Sequence, residues 1–361
     1  MKAEATVKRV NKSDIVNESG KPGPQAIIES NEILIELYTK MIRIRRFEEA
    51  AFQQYQKQTI AGFCHLYIGQ EAVAVGAMSH LEKGDNVLTA YRDHGHALIT
   101  GMTMDSLMAE LFGKATGCSK GKGGSMHFFN KELGMMGGNG IVGSHVPVAT
   151  GSAFAQKYRD EHKVTLVFFG DGAAQQGAVH EAMNMAGLWK LPVIFVVENN
   201  KYGMGTSVER SSAVTELHKR AAAYNMPGVA CNGMDVLDVR AKFGAAIARA
   251  RADYSPTFIE ANTYRYRGHS MTDPAAYRTA DEVEQHKLKD PILMLKAILL
   301  ERGMHEEKIE QIDIDAKDEA KNSVDFAAAS PEPDYSEIKT DIYAKPWDES
   351  LLPRVVLPVT E

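Results

Sequence analysis

The sequence predicts an α/β fold. It should have a mostly parallel sheet with helices on both faces, a helical arm at the N-terminus and a helical extension at the C-terminus. Three observations lead there. Val164-Thr-Leu-Val-Phe-Phe169 and Val193-Ile-Phe-Val-Val197 are short unbroken apolar runs, the signature of strands buried on both faces. Gln176 to Lys190 separates them with helical spacing, which gives a right-handed crossover between parallel strands. Near the N-terminus, Leu34, Leu37, Met41, Ile44 and Phe47 recur at three- and four-residue intervals, the period of a long amphipathic helix over 31–56.

The remaining elements follow in order. Residues 1–30, with Gly20, Pro22, Gly23 and Pro24, read as a loosely ordered arm, and 31–280 as the α/β domain. A helix starts near Gly69-Gln70-Glu71 and runs through Met78; Asn86-Val-Leu-Thr-Ala90 is a short strand; Thr103 to Gly113 is helical. Lys114 to Gly143 is glycine-rich and aperiodic, a structureless stretch of the kind that serves function. Helix resumes at Val148, a short strand and a helix occupy 228–252, and Thr257 to Arg267 alternates as a strand. From Asp281 the chain is helical and charged, forming with its Pro-rich tail an extension over 281–361 packed on the same domain.

Bulk properties narrow the function. With 44% hydrophobic and 24% charged residues in 361, the chain is of ordinary globular composition. A net charge of −6 gives no reason to expect nucleic acid, and no apolar run reaches the roughly 20 residues that span a bilayer. Cys64, Cys118 and Cys231 are scattered and fit a reducing compartment. Glu4, Asp14 and Glu18 break the pattern of a transit peptide, so the expected address is cytoplasmic, or an organellar matrix if the chain is a processed form.

The chemistry concentrates at strand ends. Gly170-Asp171-Gly172 closes one buried strand and Asn199-Asn200 closes the next, which puts a carboxylate and an amide carbonyl where open α/β sheets bind ligands. Such hard oxygens suit Mg²⁺ or Ca²⁺, and Mg²⁺ leaves positions for phosphate oxygens. Lys201-Tyr-Gly-Met-Gly205 follows, a loop whose carbonyls can complete the shell. Tyr91-Arg92 and Arg267-Gly268-His269 place basic donors at other predicted strand ends, suited to a diphosphate. His65, His94, His96, His127 and His145 stay ambiguous by chemistry alone, and the Met-rich patches (Met102, Met104, Met108; Met183, Met185) read as core filling. Gly138-Asn-Gly-Ile-Val-Gly143 spells a dinucleotide fingerprint, but Gly134-Met-Met-Gly137 ahead of it does not read as a strand. A nicotinamide-dependent dehydrogenase is therefore the distant alternative. Gly117 to Gly123 fails as a P-loop, since no Ser or Thr follows Lys122.

Read together, the motifs resemble the α subunits of the thiamine-diphosphate-dependent E1 component of 2-oxo acid dehydrogenase complexes, from about Asn31 to Ala329. They are Phe63-Cys-His-Leu-Tyr67 with Gly69-Gln-Glu71, Thr89-Ala-Tyr-Arg92, Lys122-Gly-Gly-Ser-Met-His127, Gly137 to Gly143, Gly170-Asp-Gly-Ala173, Glu198 to Thr206 and Tyr264-Arg-Tyr-Arg-Gly-His-Ser270. The resemblance implies a thiamine-diphosphate-binding fold in which Asp171, Asn200 and the Tyr202 carbonyl hold Mg²⁺. Gly172 and Ala173 then contact the diphosphate, Tyr91 and Arg92 bind it from the other side, and Gly140 and Val142 meet the aminopyrimidine. His269 is implied to be the loop histidine near the diphosphate, positively charged during transfer to the lipoyl group, and His65 to line the substrate side.

The reaction so implied is oxidative decarboxylation of pyruvate, with reductive acetylation of the lipoyl group on the E2 acyltransferase. Acetoin or a branched-chain 2-oxo acid is the alternative substrate. The chain has room for only one of the two domains such a site needs, so the resemblance implies an E1 β subunit and an α₂β₂ heterotetramer. Ala178 to Leu188 and Ile33 to Phe52 are candidate interface helices. Ser270 and Ser207 match positions phosphorylated in some relatives, whereas Ala276 replaces a third.

Overall fold

The structure is a computed structural model describing residues 29–342, so most of the expected N-terminal arm, and the tail with Pro346, Pro353 and Pro358, lie outside the described residues. Its order is α1 (Asn31–Gln56), α2 (Glu71–Met78), β1 (Asn86–Ala90), α3 (His94–Ile99), α4 (Met104–Leu111), β2 (Met135–Asn139), α5 (His145–Tyr158), β3 (Thr165–Gly170), α6 (Gly177–Trp189) and β4 (Val193–Asn199). A two-stranded hairpin follows, β5 (Tyr202–Gly203) and β6 (Thr206–Ser207), then α7 (Val208–Ser211), β7 (Gly228–Asn232), α8 (Val236–Asp253), β8 (Thr257–Asn262), α9 (Ala280–Lys287), α10 (Pro291–Glu301) and α11 (Glu306–Ala329).

Six strands form one sheet in the order β2-β1-β3-β4-β8-β7, every neighbouring pair parallel. Alternate side chains of the central strands feed two cores. Phe168, Val196 and Ile259 join α1, α2, α4, α8 and α11 on one face; Val167, Phe169, Val197 and Phe258 join α5 and α6 on the other. Both faces are covered, which is why these strands read as continuous apolar runs.

Helix ends follow side-chain chemistry. Ser30 accepts from the Ile33 N–H at the start of α1, Asp235 from Leu237 at the start of α8, and Asp290 from Ile292 ahead of Pro291 in α10. The α1 stripe of Leu34, Leu37, Met41, Ile44 and Phe47 is fully buried, each such burial worth roughly 1.5–3 kcal/mol. The apolar stripe of the 31–56 helix is therefore consumed by this chain's own core, while Ile33, Ile35 and Phe52 stay partly exposed. The C-terminal extension closes over the same helix: Arg43 donates two hydrogen bonds to Glu319 (2.7 and 2.6 Å), and Arg46 donates to Asp313 (2.6 Å).

Residues 114–143 depart from expectation. They hold β2, an edge strand paired with β1, and the glycine loop before it is fastened rather than free. The fully buried Glu110 carboxylate accepts four backbone N–H groups, from Ser119 (2.7 Å), Gly121 (2.9 Å), Gly123 (2.6 Å) and Gly124 (3.1 Å). Helix α5 begins at His145, three residues earlier than its apolar period suggested, and β8 stops at Asn262 rather than continuing to Arg267. A further difference is Met185, which is 40% exposed on α6 and does not fill the core.

Candidate active site

Parallel pairing brings all six carboxyl ends to one edge. The strand order reverses between β1 and β3, because β2 lies on one side of β1 and the chain then crosses to β3 on the other. A crevice opens at such a point. Tyr91 and Arg92 leave β1 there, Asp171, Gly172 and Ala173 leave β3, and Asn200 and Tyr202 leave β4. Gly140 and Val142 follow β2, and Arg265 and His269 lie on the segment beyond β8.

Asp171 and Asn200 occupy neighbouring tips, since Gly170 pairs with Glu198 in the β3–β4 ladder. Asp171 is buried, its Oδ2 has no hydrogen-bond partner, and burial pushes its carboxyl up to about 6 against the pull of Arg265. The Tyr202–Gly203 backbone crosses close by: a Cβ on Gly172 would come 3.3 Å from the Gly203 Cα, and one on Gly203 would come 3.6 Å from Asp171 Oδ2. Arg265 Nη1 donates to Asn200 Oδ1 and to the Tyr202 carbonyl (2.7 Å). Two of the three oxygens expected to hold a cation thus already share one positive group. These residues fit a hard divalent ion: one buried carboxylate oxygen without a partner, an amide oxygen and a main-chain oxygen. Among the described residues no cluster of three or more His, Cys, Asp or Glu can hold a metal.

Across the crevice, the rings of His65 and Tyr91 lie 4.5 Å apart, those of His65 and His269 5.3 Å, and those of Tyr91 and His269 5.6 Å. Arg92 ties the two histidine loops together, donating to the Leu66 carbonyl and to the His269 carbonyl at 2.7 Å each. Burial and the Arg265 charge lower the Arg92 guanidinium to about 10, still protonated at neutral pH. Two buried guanidinium groups beside one crevice suit an anionic ligand. Burial first, then Arg92, drives His65 down to about 2 and His269 down to about 3. With protein groups alone around it, His269 is therefore held neutral, and the Asp273 carboxylate opposes that shift only in part. The Nδ1 atoms of both histidines are buried without partners.

The chain matches the family described as "Dehydrogenase E1 component" over residues 39–336. It belongs to that family. The E1 chain is 53% identical over 315 residues to "Pyruvate dehydrogenase E1 component subunit alpha" of Rhizobium meliloti (strain 1021), covering 87% of this chain and 90% of that protein. The protein of the same name from Zymomonas mobilis subsp. mobilis is 48% identical over 347 residues, covering 94% and 98%. "Pyruvate dehydrogenase E1 component subunit alpha-3, chloroplastic" of Arabidopsis thaliana is 43% identical over 344 residues, covering 93% and 80%.

Several residues of this E1 chain were placed wrongly or passed over in the sequence. Arg267 is exposed and stacks its guanidinium 4.2 Å from the Phe52 ring centre, while Arg265 supplies the cation in the site. Arg267 is the expected basic donor when the strand runs on to that residue, whereas β8 ends at Asn262. Gln70 is fully buried and accepts from Asn200 Nδ2 (3.1 Å). His94 is structural: its Nδ1 meets Glu48 Oε2 (2.9 Å) and its Nε2 meets Ser125 Oγ (2.9 Å), and Ser125 in turn accepts from the His65 N–H (3.3 Å). His145 meets the Phe168 carbonyl (2.8 Å) and His127 the Gly138 carbonyl (3.0 Å). A strand does precede Gly140, contrary to expectation. What rejects the dinucleotide fingerprint is that Gly138 lies inside that strand, where a Cβ would strike the Asp93 carboxylate at 2.0 Å.

Proposed function

We propose that this chain is the α subunit of a pyruvate dehydrogenase E1 component, using thiamine diphosphate and Mg²⁺ to decarboxylate pyruvate and pass the acetyl unit to a lipoyl group on an E2 acyltransferase. The observation that carries it is the pairing of a buried, partnerless Asp171 Oδ2 with the Asn200 and Tyr202 oxygens at adjacent strand tips. Relatives bearing the pyruvate dehydrogenase name support the substrate.

In this reading Asp171 Oδ2, Asn200 Oδ1 and the Tyr202 carbonyl hold the cation. Gly172 and Ala173 present backbone to the diphosphate, Tyr91 and Arg92 face it across the crevice, and Gly140 and Val142 approach the aminopyrimidine. Bound thiamine diphosphate supplies the electron sink for loss of carbon dioxide, which no side chain offers. The protein supplies position and field. Arg92 and Arg265 set a positive potential for the diphosphate and for the carboxylate of a 2-oxo acid. His65 and His269, neutral and with free Nδ1 atoms, can each hold or move a proton there. An anion seated beside His269 raises its affinity for that proton, so its charge follows occupancy of the site.

The partner is an E1 β subunit in an α₂β₂ assembly. Its support is an apolar face on α5 and α6, with Phe154, Tyr158, Leu188 and Trp189 between 43% and 82% exposed. Three free cysteines suit a reducing, cytoplasmic address. Among the described residues no helix is long and apolar enough to cross a membrane. The test is reconstitution. With thiamine diphosphate and Mg²⁺, the chain should decarboxylate pyruvate in preference to 2-oxoisovalerate or acetoin, and only after the β subunit is added. Full turnover by this chain alone would overturn the shared site.

A further inference from the structure

We propose that Gln70 is a positioning residue for the divalent cation: it captures the NH₂ end of the Asn200 amide and thereby presents the carbonyl end to the metal. This rests on Asn200 being a cation ligand, as proposed above. The two ends of an asparagine amide are nearly identical in shape and opposite in polarity. A flipped amide would aim two N–H dipoles at a cation.

The structure fixes the orientation by chemistry. Arg265 only donates, so the atom it meets on Asn200 is Oδ1. The other end of the amide is then a donor, and it meets Gln70 Oε1 at 3.1 Å. Asn200 is 7% exposed, too enclosed for solvent to set its orientation instead. Gln70 Nε2 has no partner among the described residues, so the bond to Asn200 is the one this side-chain amide makes.

Gln70 itself is held firmly. Its N–H donates to the Tyr67 carbonyl (3.1 Å), and Glu71 beside it accepts from Gly69 N (3.0 Å) and from Arg45 Nε (2.5 Å). Gly69 has φ +101°, and a Cβ there would fall 2.4 Å from the Tyr264 carbonyl. The turn carrying Gln70 is thereby pressed against the segment carrying Arg265, and the two clamp Asn200 from opposite ends. Gln70, which meets Asn200 at the end away from its oxygen, has the arrangement of a group that orients a metal ligand from outside the coordination shell.

The test measures Mn²⁺ affinity of the full chain assembled with its β partner and thiamine diphosphate, from the electron paramagnetic resonance signal of free Mn²⁺. Gln70→Met keeps the volume and removes the acceptor; it should weaken Mn²⁺ binding about 10–100-fold. Gln70→Glu keeps an acceptor for the same NH₂ group and should retain most of the affinity. In an Asn200→Asp background both ends of the side chain are oxygen, so adding Gln70→Met should change affinity less than about twofold. Equal losses in both backgrounds, or a loss in Gln70→Glu matching that in Gln70→Met, would overturn the role of Gln70 alone. Absence of Mn²⁺ binding by the unsubstituted assembly would overturn the cation site itself.

Discussion

Asp171 concentrates the tension between folding and function in this chain. A buried carboxylate oxygen without a donor disfavours its own charge, as the rise to about 6 reflects, and the fold alone gains nothing from it. Asp171→Asn should accordingly melt no lower than the unsubstituted chain by calorimetry, yet lose the upward melting shift that thiamine diphosphate with Mg²⁺ produces. A melting point lowered by several degrees would instead assign Asp171 a structural role. The two site histidines give a second prediction. Unfolded imidazoles titrate near 6.5, and the fold holds His65 at about 2 and His269 at about 3. As pH falls below 6.5 the unfolded chain takes up protons these residues refuse, so their stabilising contribution is complete above pH 6.5 and is lost toward pH 3. Imidazole resonances of both should stay in the neutral position from pH 8 to 5 without cofactor. Asp171 and Asn200 were legible in the sequence because each closes an apolar run. Gln70 and Arg265 were not singled out, because their roles depend on contacts between segments far apart in the chain.

The elements that read clearly are those whose periodicity matches their burial. Strands β3 and β4 are apolar on both faces, and α1 carries one stripe into the core. Strand β2 hid in Met-Met-Gly-Gly-Asn because its two glycines are demanded for different reasons that a sequence pattern does not show: Gly137 adopts φ +113°, and Gly138 abuts the Asp93 carboxylate and the Met126 carbonyl. The loop before it hid for a related reason. Its order comes from the Glu110 carboxylate, and a Cβ at Gly117 would fall 2.3 Å from Glu110 Oε2. Removing the carboxylate leaves four N–H groups without their acceptor. Glu110→Ala should therefore lower unfolding free energy by at least about 3 kcal/mol in denaturant titrations. It should also increase hydrogen exchange at Ser119, Gly121, Gly123 and Gly124. Unchanged exchange at those amides would show that the loop is held by something else.

For the whole molecule, the sheet places every proposed ligand at one edge, while the α5–α6 face leaves Phe154, Tyr158, Leu188 and Trp189 open. Phe154 lies within 6.1 Å of the Tyr158 ring and 5.5 Å of the Trp189 ring, so the face is a continuous aromatic patch. Leu188→Glu should leave the chain folded by circular dichroism and shift its mass in sedimentation from the assembly with its β partner toward free subunits. An unchanged mass would place the interface elsewhere. The central claim is the cation between two strand tips, and crystals grown with thiamine diphosphate and Mn²⁺ test it most directly. The anomalous difference map should show one peak at coordination distance from Asp171 Oδ2, Asn200 Oδ1 and the Tyr202 carbonyl, with Arg265 moved off those oxygens. A peak elsewhere, or a cofactor bound with no metal at these tips, would contradict the account.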